Sequence, residues 1–141
     1  MLLDLTKPRD AHIDERLHKE IMIWLSTVRP NGHPHLVPVW FLWDGETILI
    51  FSQPKTQKVR NLQHNLNVML ALDTARLGGD IVMIEGKAEL LKEPTTAIMS
   101  PEYAEKYKER MARLRMNPEA MARDYSVAIR ITPTKFLGHG E

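Results

Sequence analysis

A chain of 141 residues is long enough to bury one sizeable core and too short for two ordinary domains, so residues 1–141 are read as one domain. Hydrophobic residues make up 43% and charged residues 26%, the balance of a soluble globular protein, and a net charge of +1 excludes a whole-surface basic field for nucleic acid. Cysteine is absent, which removes disulfides, thiolate metal sites and cysteine nucleophiles, and neither a signal-peptide core in MLLDLTKPRD nor a membrane-length apolar run occurs; a cytoplasmic protein with no membrane and no nucleic-acid partner is expected.

Asp14 to Glu20 reads as the end of a short polar helix, after which Ile21 to Val28 turns β-branched and apolar, the pattern of a strand. Asn31-Gly32 follows, and both residues tolerate positive φ, so a hairpin is predicted there. Leu36 to Trp43 is an almost unbroken apolar run read as one strand, ended by the turn pair Asp44-Gly45 before a third strand, Thr47 to Phe51. Val59, Leu62 and Leu66 recur at helical spacing and predict a helix from about Thr56 to Asn65.

Val68 to Leu72 is a fourth strand. A loop with Gly78-Gly79 leads to a fifth, Ile81 to Leu91, whose continuous apolar run gives way to alternation, as in a strand buried at one end. Pro94 and Pro101 bracket a helical break, and Tyr103, Tyr107, Met111 and Leu114 mark the buried face of a covering helix. Asn117-Pro118-Glu119 signals another helix start, and Val127 to Ile131 is the sixth strand. The order β-β-β-α-β-β-α-β, without βαβ alternation, predicts a mainly β fold with flanking helices, an antiparallel barrel.

Two stretches stand out chemically. Pro38 interrupts an otherwise regular strand and cannot donate to a ladder, so that strand is expected at an edge or a bulge. A flat ligand could meet the backbone of Val37 and Val39 there, with Trp40 and Phe41 as apolar walls. The stretch SQPKTQKVRN, Ser52 to Asn61, places Lys55, Lys58 and Arg60 near a helix start with no acidic residue, although that end of the macrodipole is positive. An anion answers the anomaly: a phosphate held by helix N–H groups, the hydroxyls of Ser52 and Thr56 and the Lys58 ammonium, with Arg60 or Lys55 nearby. His33, His35 and His64 lack the carboxylate or thiolate company of a metal site, so none is assigned. No Walker or dinucleotide fingerprint and no nucleophile elbow occurs. Asp73 and Asp80 bracket a loop and read as structural.

The chain resembles the pyridoxamine 5′-phosphate oxidase-like family, the flavin-binding split barrels. The resemblance rests on STVRPNGHPHLVPVWFLWDG (Ser26 to Gly45), ILIFS followed by TQKVRNLQHNLNVML (Ile48 to Leu70), and IEGKAELL (Ile84 to Leu91), in family order. It implies a six-stranded antiparallel split β-barrel of Greek-key type, a homodimer, and FMN in a cleft at the dimer interface. Position by position, it implies that Val37, Pro38, Val39 and Trp40 line the flavin, and that Phe51, Ser52, Thr56, Gln57 and Lys58 approach its phosphate. Arg60 is added from charge alone. The implied activity is an oxidoreductase acting on a small molecule, with NAD(P)H as an electron donor, in which the cofactor does the chemistry and no protein acid or base is nominated.

Departures narrow this. Vitamer oxidases of the family carry an Arg- and Trp-bearing tail, whereas this chain has TKFLGHGE, Thr134 to Glu141. RPNGHPHLVPVWFLWDG is closer to short members similar to deazaflavin-dependent reductases, so coenzyme F420 is the alternative cofactor. A flavin-binding module without turnover is the reading from a different class.

Overall fold

The structure, a computed structural model, describes residues 2–73 and 79–138. Gly78 of the predicted glycine loop and the residues after Gly138 lie outside the described residues. Helix α1 (Pro8–Lys19) starts on a proline, whose missing N–H would be unpaired there anyway, and ends on Arg16, His18 and Lys19 near the negative end of its dipole. Its buried stripe is Ile13 and Leu17.

Strands β1 (Ile23–Val28) and β2 (Pro34–Val39) form the predicted hairpin, but through a different turn. Gly32 N–H donates to the Arg29 carbonyl at 2.8 Å, and Arg29 N–H donates to the His33 carbonyl at 2.9 Å. Gly32 alone of the pair takes positive φ, +89°. Pro30 at the second position and glycine at the fourth make this a type I turn closed by a glycine bulge, not the doubly left-handed turn that Asn-Gly suggests.

The predicted strand Leu36–Trp43 is two strands, β2 and a short β3 (Leu42–Trp43), so the sheet has seven strands rather than six. The chain continues through β4 (Ile48–Ser52), helix α2 (Gln57–Leu62), β5 (Asn67–Leu72) and β6 (Val82–Leu90). Helices α3 (Thr95–Ile98), α4 (Pro101–Arg113) and α5 (Pro118–Asp124) then precede β7 (Val127–Gly138). Ser100 and Asn117 cap α4 and α5, each accepting a backbone N–H three residues on, with proline next in both cases.

Several boundaries differ from the sequence expectation. Helix α2 stops at Leu62, and Leu66 lies exposed beyond it. Strand β7 does not stop at Ile131, because it must match the length of β6, and Pro133 is tolerated where the β6 ladder already slips at Glu85/Gly86. Leu114 is not part of the buried face of α4: it is 60% exposed.

All pairings are antiparallel, in the order β2-β1-β5-β6-β7-β4-β3. The two outermost strands, β2 and β3, are consecutive in the chain and separated only by Trp40 and Phe41. The sheet therefore curls until its edges meet, which is the split barrel. Pro38 lies in an edge strand, as a residue without a ladder donor requires.

Aliphatic side chains such as Leu25, Ile48, Ile50, Leu70 and Ile84 fill the curl. A second cluster, Phe51, Tyr103, Tyr107, Met111, Met121 and Ala128, lies between β4, β7 and the α4–α5 pair. Arg16, itself buried, donates to the Asp73 and Asp80 carbonyls and pairs with the Asp80 carboxylate, so both aspartates have the structural role expected of them. No helix among the described residues is long and apolar enough to cross a membrane.

Candidate functional site

The place where the sheet edges meet is held from outside by α4. Phe41 N–H donates to Tyr107 Oη at 2.8 Å, and that hydroxyl lies 2.7 Å from the Ile21 carbonyl and 3.0 Å from the Phe41 carbonyl. Lys106 Nζ donates to the Phe41 carbonyl at 2.7 Å and sits 3.9 Å over the Phe41 ring. These partners replace the ladder at Phe41, and that is why one apolar run becomes two strands. The Tyr107 ring also stacks on Trp40, with centroids 4.4 Å apart and planes 7° from parallel.

Trp40 forms part of a groove of about 210 Å³ beside this seam. Met22, Pro38, Val39, Trp40, Phe51 and Lys58 line its barrel side; Leu114, Met116, Met121 and Tyr125 line the other. Lys58 is the one charged residue of this lining. It is half-buried, makes no hydrogen bond or ion pair with a described residue, and burial pushes its pKa below the usual lysine value.

Behind it lies His35 on β2, whose Nδ1 is sealed from solvent without a partner. Burial lowers the His35 pKa, and Arg29, Lys58 and Arg60 lower it further. Protonating this imidazole would add a fourth cation to a field of three. Among the described residues no carboxylate pairs with these three cations, and none supplies a partner for the His35 ring nitrogen within their field.

The remaining expected residues occupy distinct places. Val37 packs against the barrel core rather than lining the groove. Ser52 is fully buried; its hydroxyl donates to the Gln53 carbonyl at 2.9 Å and lies 3.1 Å from Thr56 Oγ1. Thr56 precedes α2 without a side-chain cap and lines a separate shallow depression with Gln53, Pro54, Lys55 and Asp124.

Gln57 donates to Asn61 Oδ1 at 2.7 Å and accepts from Arg60 at 2.7 Å. Asn61 in turn donates to the buried Thr27 hydroxyl at 2.9 Å. Gln57 and Arg60 thus belong to a polar chain that anchors α2 on β1 and aims Lys58. The structure brings Pro38, Val39, Trp40, Phe51 and Lys58 into one groove.

Sequence reasoning missed His35 as a neighbour of the lysine and the whole wall of Leu114, Met116, Met121 and Tyr125. The signal for His35 was its place on β2, two and four residues from Val37 and Val39 and so on their face. The wall gave no such signal: Leu114 fits the spacing of the α4 face, and Met116, Met121 and Tyr125 come from the turn after α4, from α5 and from its C-cap.

No curated protein matches the chain. Solved structures do. One named F420 reductase is 27% identical, with a TM-score of 0.66, covering 88% of this chain and 94% of that one. A conserved hypothetical protein from Mycobacterium tuberculosis is 25% identical with a TM-score of 0.74, covering 91% and 82%. An FAD-binding protein from Mesorhizobium loti, at 16% identity and a TM-score of 0.67 over 91% and 90%, shares the fold. The model of the family described as pyridoxamine 5′-phosphate oxidase matches residues 10–140. With nearly its whole length matched and its curled sheet shared with these structures, the chain belongs to the pyridoxamine 5′-phosphate oxidase family.

Proposed function

We propose that this protein is a flavin-dependent oxidoreductase of the cytoplasm, with FMN lying along the groove, its ring toward Pro38, Val39, Trp40 and Phe51 and its phosphate toward Lys58. The observation that carries this reading is the half-buried Lys58, without a hydrogen-bond or ion-pair partner among the described residues, in an otherwise apolar groove. Keeping an ammonium there is costly without an anion, and a phosphate supplies one. Helix α2 is only six residues long, so its dipole adds little and the side chains carry the attraction.

The flavin, when bound, supplies hydride and electron transfer with NAD(P)H and a small-molecule substrate. The chain's own residues orient it: the Trp40–Tyr107 stack fixes one wall, and the Gln57–Asn61–Thr27 bonds fix the helix that carries Lys58. A second cofactor reading, the deazaflavin coenzyme F420, draws support from Arg29 and Arg60, which extend the positive field beyond Lys58, and from the likeness to the structure named F420 reductase.

A second copy of the chain completes the site in this reading. A cavity of 210 Å³ is smaller than the roughly 300–1,000 Å³ usual for small-molecule sites. Register places Trp24, Leu36, Pro38, Met69 and Met83 on one sheet face, and Leu36 is 60% exposed. Pro38 belongs to both that face and the groove. Leu36→Lys should therefore convert a dimer to a monomer in sedimentation; an unchanged mass would move the interface elsewhere.

Titration of cofactor-free protein with FMN and with F420, followed by fluorescence, tests the main reading. Lys58→Ala should weaken binding of the preferred cofactor by about 1.5–3 kcal/mol, the range for a hydrogen bond to a charged group. Binding of neither cofactor would sink the reading, and an unchanged affinity would remove Lys58 from the site.

A further inference from the structure

The seam holds an amine that the cofactor reading does not use. Lys106 on α4 is half-buried; its Nζ donates to the Phe41 carbonyl at 2.7 Å and lies 3.9 Å over the Phe41 ring and 5.3 Å from the centre of the Tyr107 ring. Among the described residues no carboxylate comes within ion-pair distance of it. Burial strips the ammonium of water, and a carbonyl and two ring faces replace it only in part. The pKa of Lys106 accordingly falls to about 8, with the Glu20 carboxylate working the other way.

Lys106 opens on a depression of about 640 Å³ that it lines with His18, Leu42, Pro101, Glu102 and Glu105. This depression shares no lining residue with the groove that contains Lys58. Leu42 and Pro101 are its apolar surface, while Glu102 and Glu105, both exposed, give it negative charge.

We propose that Lys106 is a modification site, acylated by small thioesters of uncharged acyl groups that enter this depression. The Nζ lone pair attacks the thioester carbonyl carbon. The N–C bond forms as the C–S bond breaks, and the thiolate leaves with the electron pair and takes up the proton lost by the amine. The product suits the seam: a secondary amide keeps one N–H, which is all that the Phe41 carbonyl takes from the lysine, and the acyl chain has Leu42 and Pro101 to lie against. Glu20, Glu102 and Glu105 would repel an acyl group that carries its own carboxylate. Nothing in this step involves the flavin.

The titratable groups around the amine are His18 and Glu20 at the end of α1, Glu102 and Glu105 on its own helix, and the Tyr107 phenol, whose pKa burial raises. At pH 8 about half of Lys106 is the nucleophilic amine, against about 0.4% of a lysine at its ordinary value of about 10.4.

The test incubates the full chain with the N-acetylcysteamine thioesters of butyrate and of succinate, and follows acylation at each lysine by peptide mass spectrometry from about pH 7 to 10. At pH 8 Lys106 should take up butyrate at least tenfold faster than Lys108, which is exposed on the same helix. Its rate should level off above about pH 8.5 while that of Lys108 keeps climbing. Butyryl transfer to Lys106 should exceed succinyl transfer at least fivefold, and Glu102→Gln combined with Glu105→Gln, at two exposed positions, should cut that ratio at least twofold. Equal rates at Lys106 and Lys108, or a Lys106 rate that climbs with pH as Lys108 does, would overturn the site. No preference for butyryl, or a ratio unchanged in the double variant, would overturn the depression as the place where the donor enters.

Discussion

Inside the curled sheet, Leu25, Ile48, Ile50, Leu70 and Ile84 are aliphatic, fully buried and fixed in position by strand ladders, on both sides for all but Ile50, which pairs with β7 alone. Behind β4 and β7 the second core is Phe51, Tyr103, Tyr107, Met111 and Met121, and polar atoms thread through it to the backbone of the seam. The first region is close-packed by backbone geometry and admits almost no change in volume. The second is held by rings, thioethers and a few hydrogen bonds, and the candidate site opens on its side. Rigidity and adaptability are thus placed in different cores, with the groove where they join.

The sharpest way to break this contrast is at Gly86. A Cβ there would sit 2.7 Å from Ile131 Cγ2 and 3.2 Å from the Thr132 carbonyl oxygen, and Ile131 is completely buried and stiff. Gly86→Ala should cost about 3 kcal/mol in urea unfolding, at the upper end for overpacking. An effect under about 1 kcal/mol would show that the barrel core yields as readily as its neighbour.

The two buried tyrosines sharpen the comparison within the second core. Tyr107 Oη satisfies the Phe41 N–H, so Tyr107→Phe should cost about 2 kcal/mol, the range for stranding a buried donor. Tyr103 Oη is buried with no partner among the described residues, so Tyr103→Phe should be neutral or stabilise by up to about 1 kcal/mol. Equal losses in the two variants would mean that ring packing alone, not the seam bonds, sets the stability of this region.

The smallest effect is a pH dependence. Burial pushes Lys106 down to about 8, with the Glu20 carboxylate working the other way. In the unfolded chain the lysine keeps its proton to about 10.4. Between those values the unfolded state binds more protons, so stability should rise as pH goes from about 8 to 9.5 and stay level just below that window. Urea midpoints at pH 7.5 and 9.5 should show the rise in the native chain and a smaller one in Lys106→Gln. The same slope in both would assign it to other groups.

How far the sequence could be read follows the same division. Strands whose partners sit beside them in the chain were readable from turn dipeptides and β-branched runs, and Pro38 announced an edge. The break at Phe41 was not readable, because its cause is Tyr107 and Lys106, more than sixty residues away. Leu114 was misplaced for a related reason: i, i+3 and i+4 spacing continues up to the residue where Arg115 turns left-handed, and arginine does not announce that turn as glycine would. At the site, Lys58 was visible as a cation near a helix start without an acidic neighbour in sequence, while His35 needed the β2 face and α2 brought together in space before the cations around its ring had meaning.

The seam also constrains the order of folding. Strand β7 lies between β6 and β4, pairing residues near 130 with residues near 50, and the Phe41 bonds come from a helix that precedes it by only a short stretch of chain. Until β7 docks, β2, β1, β5 and β6 can pair as a four-stranded antiparallel sheet with β6 unpaired along one side, and β4 has no partner but β3. Such pairings across many residues form slowly, and an unpaired apolar strand is a template for another chain. A nascent chain therefore presents its greatest risk of aggregation after β6 has emerged and before β7 follows, an interval filled by α3 and by the α4–α5 segment that later lines the groove.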